Sequence, residues 1–129
     1  MAAQLNHTIV WCRDKQRSAT FLCDVLGAPA AKPFVHFLVV ELGNNVSLDF
    51  MDHPEPIVRQ HYAFLVNDAE FDAGFTLIKQ RGLTYWADPA CKKPGEINYH
   101  WQGRGVYFED PDGHLLELIT KPYGDPEHL

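Results

Sequence analysis

The sequence predicts an α+β fold built twice, on three observations: a repeated strand opening, a repeated helix and a repeated terminal hairpin. The chain holds 129 residues, enough for one ordinary domain and too few for two. His7-Thr-Ile-Val-Trp-Cys-Arg-Asp14 has a counterpart in His61-Tyr-Ala-Phe-Leu-Val-Asn-Asp68. Each is a His, a run of β-favouring residues and an Asp. Self-similarity of this kind points to a duplicated unit.

Each opening strand leads into a helix. Asp14 and Asp68 are the expected N-caps, and Gly27 and Gly82 the expected stops. In the second segment Phe71, Phe75 and Ile78 recur at helical spacing. Next, Phe37–Glu41 and Val46–Met51 match Gly105–Glu109 and His114–Ile119, so that Glu41 maps onto Glu109 and Asp49 onto Glu117. The connections Leu42-Gly-Asn-Asn45 and Asp110-Pro-Asp-Gly113 carry hairpin chemistry. Asp52-His-Pro-Glu-Pro56 reads as the joint between a first module of about 4–52 and a second of about 59–122, both within one domain. Tyr85-Trp86 is a short strand candidate, and 88–104 a loop long enough to be a lid or binding loop.

Composition narrows the function. The chain is 46% apolar and 22% charged, with a net charge of −6, which describes an ordinary globular protein. An acidic chain without a basic stripe argues against nucleic acid and against an anionic membrane surface. No leader pattern opens the sequence and no run reaches membrane-spanning length. The three cysteines include no Cys-x-x-Cys, so reduced thiols in the cytoplasm are expected.

Side chains alternate along a strand. Glu117 therefore shares a face with Leu115 and Ile119, in the middle of an apolar strand. An unpaired buried carboxylate is costly, so a cation, a metal or a proton must compensate it. If the halves are related by a pseudo-twofold axis, His7 faces His61 and Asp49 faces Glu117. Two imidazoles and a carboxylate with open positions suit a divalent metal, in the manner of non-haem Fe(II). The structural alternative is an ion pair of Glu117 with Arg104 or a lysine. Asp49 has a shorter side chain and suits a base or an orienting group beside the metal. His36, His53, His100, His114 and His128 have no partner in the repeat. His114 is expected at a turn or strand edge and His128 in the tail.

Leu5-Asn-His7, Gln60-His61-Tyr-Ala-Phe and Tyr107-Phe-Glu-Asp-Pro-Asp-Gly-His-Leu-Leu-Glu117 resemble the vicinal oxygen chelate superfamily, which includes glyoxalase I, fosfomycin-resistance transferases, bleomycin-binding proteins and extradiol dioxygenases. Leu5-Asn-His-Thr-Ile-Val10, Gln60-His-Tyr-Ala-Phe-Leu-Val66, Tyr85-Trp-Ala-Asp-Pro89 and Pro94-Gly-Glu-Ile-Asn98 are similar to its small single-domain subgroup of chartreusin-biosynthesis oxygenases. The resemblance implies two βαβββ modules forming an open, cupped sheet around a divalent cation. It implies His7, His61 and Glu117 as ligands and Tyr107 as a tyrosine beside the site. It also implies Fe(II), with Mn, Ni or Zn as alternatives, and a catechol-like aromatic substrate with O2. Asp49, Tyr107 or a histidine of the long loop would move the proton. Trp11, Phe50, Tyr62, Trp86 and Trp101 are available as an aromatic lining. A metal-dependent lyase or thiol transferase of the glyoxalase or fosfomycin type is the second reading, and a drug-binding protein without turnover the third. The joint, stiffened by Pro54 and Pro56, favours pairing of modules between chains, hence a homodimer with shared sites.

Overall fold

The computed structural model describes residues 2–125; His128 lies outside them. Two compact units, Met1–Val58 and Arg59–Leu129, meet between Val58 and Arg59. Each has the order βαβββ, which is the fold class expected from the sequence.

The first unit contains β1 (His7–Cys12), α1 (Lys15–Leu26), β2 (Lys32–Phe34), β3 (Phe37–Glu41) and β4 (Ser47–Asp52). Its sheet runs β1-β4-β3-β2, with β1 parallel to β4 and the remaining pairs antiparallel. Pro33 sits on the edge strand β2, where its missing N–H interrupts no ladder. Asp14 caps α1, accepting from the N–H groups of Gln16 and Arg17. Gly27, at φ 65°, closes it in the left-handed conformation that glycine adopts without penalty. Val10, Cys12, Leu22, Val25, Val40, Leu48 and Phe50 are buried and build the core of this unit.

The second unit contains β5 (His61–Leu65), α2 (Asp68–Gln80), β6 (Tyr85–Trp86), β7 (Gly105–Glu109) and β8 (Leu115–Ile119). Its sheet runs β5-β8-β7-β6 with the same pattern of directions. The cap of α2 differs from the expectation. Asn67, not Asp68, is the N-cap: its side chain accepts from Glu70 N–H while the Glu70 carboxylate accepts from Asn67 N–H. This reciprocal box satisfies two end groups at once, which Asp68 could not do from one residue further on. Asp68 instead joins Asp72 in pairing with Arg104, at 3.0 and 2.7 Å. Phe71, Ile78, Val106, Phe108 and Leu118 are fully buried.

The long segment between β6 and β7 is ordered by its own polar groups. The Asp88 carboxylate accepts from the N–H groups of Lys92 and Lys93. Asn98 forms a two-way backbone bridge to Gly105 and donates its side-chain amide to Ala87 O at 2.9 Å. His114, placed by the sequence at a turn or strand edge, does precede β8 but is only 1% exposed, and its Nδ1 accepts from Gln60 N–H at 3.0 Å. Among the described residues no helix is long and apolar enough to cross a membrane.

Candidate metal centre

In the second sheet Ala63, Glu117, Tyr107 and Trp86 are successive register partners across β5, β8, β7 and β6. Period-two alternation puts His61 on the Ala63 face. Three of the candidates from the sequence, His61, Glu117 and Tyr107, therefore meet on one face. His61 Nε2 stands 3.1 Å from Glu117 Oε1, and the His61 and Tyr107 rings stack at 5.9 Å.

The tautomer of His61 follows from its other nitrogen. Nδ1 lies 2.9 Å from Leu115 O, and a carbonyl oxygen only accepts, so Nδ1 carries the proton. In the neutral ring Nε2 then presents its lone pair to a carboxylate oxygen. Two lone pairs face to face require a proton or a cation between them. Glu117 is 1% exposed, and among the described residues its ion-pair partner is His61. Arg104, the alternative partner considered from the sequence, is engaged by Asp68 and Asp72. A buried carboxylate facing an imidazole oriented by a backbone carbonyl forms a donor set that fits a divalent metal.

Tyr123 was not legible as a site residue. Its hydroxyl lies 2.8 and 2.9 Å from the two oxygens of Glu117, and the carboxylate accepts. The Tyr107 hydroxyl is 3.4 Å from that of Tyr123. Burial pushes the Tyr107 phenol far above its usual range, and the Tyr123 hydrogen bond and the Glu117 charge push the same way. At neutral pH Tyr107 is thus a proton-bearing donor. Burial also raises the Tyr123 phenol. Tyr123 has no counterpart in the first half, so the repeat gave no signal for it.

His7 and Asp49 belong to the first unit. Ile9 is the register partner of Asp49, so His7 stands to Asp49 as His61 stands to Glu117, two residues back along a parallel neighbour. His7 Nδ1 is 2.7 Å from the accepting Asn6 Oδ1, which leaves its Nε2 with the lone pair as well. Asp49 accepts from Ser47 Oγ at 2.9 Å. The counterpart of Tyr107 in this unit is Val39, the partner of Asp49. Each unit supplies two of the candidate metal-binding and carboxylate groups. Among the described residues no set of three His, Cys, Asp or Glu side chains gathers around one point.

The aromatic candidates divide. Phe50 is core, at 2% exposure, and Tyr62 meets His114 edge-on. Trp11 lies against His53 at 4.7 Å, Trp101 lies against Tyr123 at 5.1 Å, and Trp86 is the register partner of Tyr107.

Known proteins share both sequence and fold. The chain is 57% identical to a solved structure named Oxidase ChaP-H1, which covers 96% of this chain and 100% of that one with a TM-score of 0.93. It is 54% identical to Oxidase ChaP-H2, covering 97% and 98%, again at 0.93. These are the subgroup that its motifs resemble. Glutathione transferase FosA of Serratia marcescens is 29% identical over 124 residues, 92% of this chain and 81% of that protein. Metallothiol transferase FosB of Shouchella clausii is 37% identical over 60 residues, 46% of this chain and 37% of that protein. With residues 4–118 matching the family model, the chain belongs to the Glyoxalase/Bleomycin resistance protein/Dioxygenase superfamily.

Proposed function

We propose that this protein is a metal-dependent oxygenase of aromatic substrates, of the extradiol type. The observation that carries the reading is His61 Nε2 standing 3.1 Å from the buried Glu117 carboxylate, in a chain 57% identical to a protein named an oxidase. His61 and Glu117, with His7, would hold a divalent metal, Fe(II) in our reading, with Mn, Ni and Zn as alternatives. When bound, the metal would gather a catechol-like substrate and O2 at its open positions and pass electrons between them.

The chain's own residues supply the rest. Leu115 O fixes the His61 ring through Nδ1. Tyr107, held neutral by burial, suits a proton donor at its Oη rather than a base. Asp49, which accepts a hydrogen bond from Ser47 Oγ, suits the acceptor role for a substrate hydroxyl proton. The ring faces of Tyr107, Trp86 and Trp101 suit a flat aromatic partner.

The similarity to the transferase FosA favours a second reading, a metal-dependent thiol transferase. The two differ in oxygen. Metal analysis of anaerobically purified protein is to be paired with an oxygen-electrode screen of catechols and polyphenols. Substrate-dependent O2 uptake that requires added Fe(II) supports the oxygenase. Metal-bound protein that consumes no O2 with any of them, and joins glutathione to fosfomycin, establishes the transferase instead.

A further inference from the structure

After β8 the chain runs back over the site as a strap of residues 120–125, held at both ends. Thr120 N–H donates to Arg104 O at 3.0 Å, and Thr120 Oγ1 accepts from Arg104 N–H at 2.8 Å. Further on, Trp101 Nε1 donates to Asp125 O at 2.9 Å, and its ring lies 5.1 Å from that of Tyr123. Two glycines clear the path. A Cβ on Gly103 would stand 2.6 Å from Lys121 Cγ, and one on Gly124 would stand 2.5 Å from Trp101 Cδ1. Trp101 and Gln102 are left-handed, at φ 52° and 63°, a conformation that costs energy in residues other than glycine. The strained turn presents the indole to the strap.

What the strap delivers is one hydroxyl. Tyr123 is 59% exposed while Glu117 is 1% exposed, so the phenol reaches a buried carboxylate from the solvent side. We propose that Tyr123 is a positioning residue for Glu117: its hydroxyl, anchored through Trp101 and Gly124, fixes the rotation of the carboxylate so that an oxygen is presented beside His61 Nε2. The terminal torsion of a Glu side chain is broad, and without this donor the contacts that fix the carboxylate among the described residues are those with His61 and Tyr107. The inference rests on the reading of Glu117 as a metal ligand. Hydrogen bonds to ligating carboxylates typically change metal affinity 10–100-fold.

The test is an anaerobic Co(II) titration of the full chain, read by visible absorption of the bound ion and by competition with a chelating dye. Wild type, Glu117→Gln, Tyr123→Phe and Gly124→Ala are compared, with circular dichroism and melting curves as the check on folding. Tyr123→Phe and Gly124→Ala should each bind Co(II) roughly 10–100-fold more weakly, with a shifted absorption spectrum and a wild-type fold. Wild-type affinity and spectrum in Tyr123→Phe, with binding lost in Glu117→Gln, overturn the proposal and leave Glu117 as a ligand. Weakening in Tyr123→Phe but not in Gly124→Ala keeps the hydroxyl and overturns the part played by the strap. No Co(II) binding by wild type, or undiminished binding in Glu117→Gln, overturns the reading beneath it.

Discussion

Glu117 lies two residues beyond the partner of His61 across the parallel pair of β5 and β8, with Ala63 as its direct partner and Oε1 3.1 Å from His61 Nε2. Parallel pairing places residues i and i+2 of one strand on the same face as their partners. The spacing of a His at the head of one strand and a carboxylate at the centre of its neighbour thus becomes a two-donor edge.

That edge sets the first prediction. His61→Ala removes the nitrogen donor and should weaken divalent metal binding by more than about 100-fold, because even outer hydrogen-bond partners account for 10–100-fold. His53→Ala should bind as wild type, since His53 packs on Trp11 in the first unit. Metal content after anaerobic loading and desalting measures both. Stoichiometric metal in His61→Ala removes His61 from the site.

Asp49 occupies the register position equivalent to Glu117 and accepts a hydrogen bond from Ser47 Oγ. Asp49→Asn keeps an oxygen for that hydroxyl and loses the charge. The variant should keep its metal and lose turnover by roughly 100-fold or more, the range of general acid–base contributions. A parallel fall in metal affinity would make Asp49 a ligand. Wild-type metal content and wild-type turnover together would deny it any role.

The cap of α2 makes a stability prediction that separates two neighbours. Asn67→Ala breaks the reciprocal box with Glu70 and should cost about 1 kcal/mol. Asp68→Ala loses only an exposed ion pair with Arg104, expected at about 0.5 kcal/mol or less. Urea unfolding of the two variants checks the order. This pair also marks how far the sequence can be read. The repeat located every strand of both hairpins and both helices, because hydrophobic periodicity and turn chemistry are local signals. His7, His61, Asp49 and Glu117 stood out because the repeat marked them. The cap was displaced by one residue because Asn and Asp both cap, and only the geometry of Glu70 chooses between them. Tyr123 was invisible because its contact with Glu117 is made by an irregular segment after the last strand, where no periodicity applies.

Asp110 predicts a pH effect. Its carboxyl is pushed up by burial, and the N–H groups of His114 and Asp112 offset this only in part. A folded-state value above the unfolded one means that the acid form favours folding at low pH. That contribution is lost as pH rises through the raised value. Both backbone N–H groups bond to the same oxygen, Oδ1, at 2.9 Å, so Asp110→Asn can keep them. The variant should therefore gain stability relative to wild type as pH is raised from about 4, the ordinary Asp range, towards 7. Melting temperatures across that interval that run parallel for the two proteins would contradict it.

Assembly gives the last prediction. Each sheet ends on its first strand, β1 in one unit and β5 in the other, with the outer edge of that strand outside its own sheet's ladder. Open edges are normally covered. The joint between the units is held to the first of them: Arg13 Nη1 donates to His53 O at 3.1 Å and to Pro54 O at 2.6 Å. Pro54 and Pro56 further limit its conformations. A stiff joint favours pairing of module one of one chain with module two of another. We therefore expect a homodimer in which His7 of one chain joins His61 and Glu117 of its partner. Inactive His7→Ala and inactive Glu117→Ala, mixed, mildly unfolded and reassociated, then test the idea by complementation. With shared sites a heterodimer gathers both lesions in one site and leaves the other intact, so activity returns. With sites inside each chain every heterodimer carries two damaged sites, and no activity returns. A monomer by light scattering at working concentration would overturn the expectation before any assay.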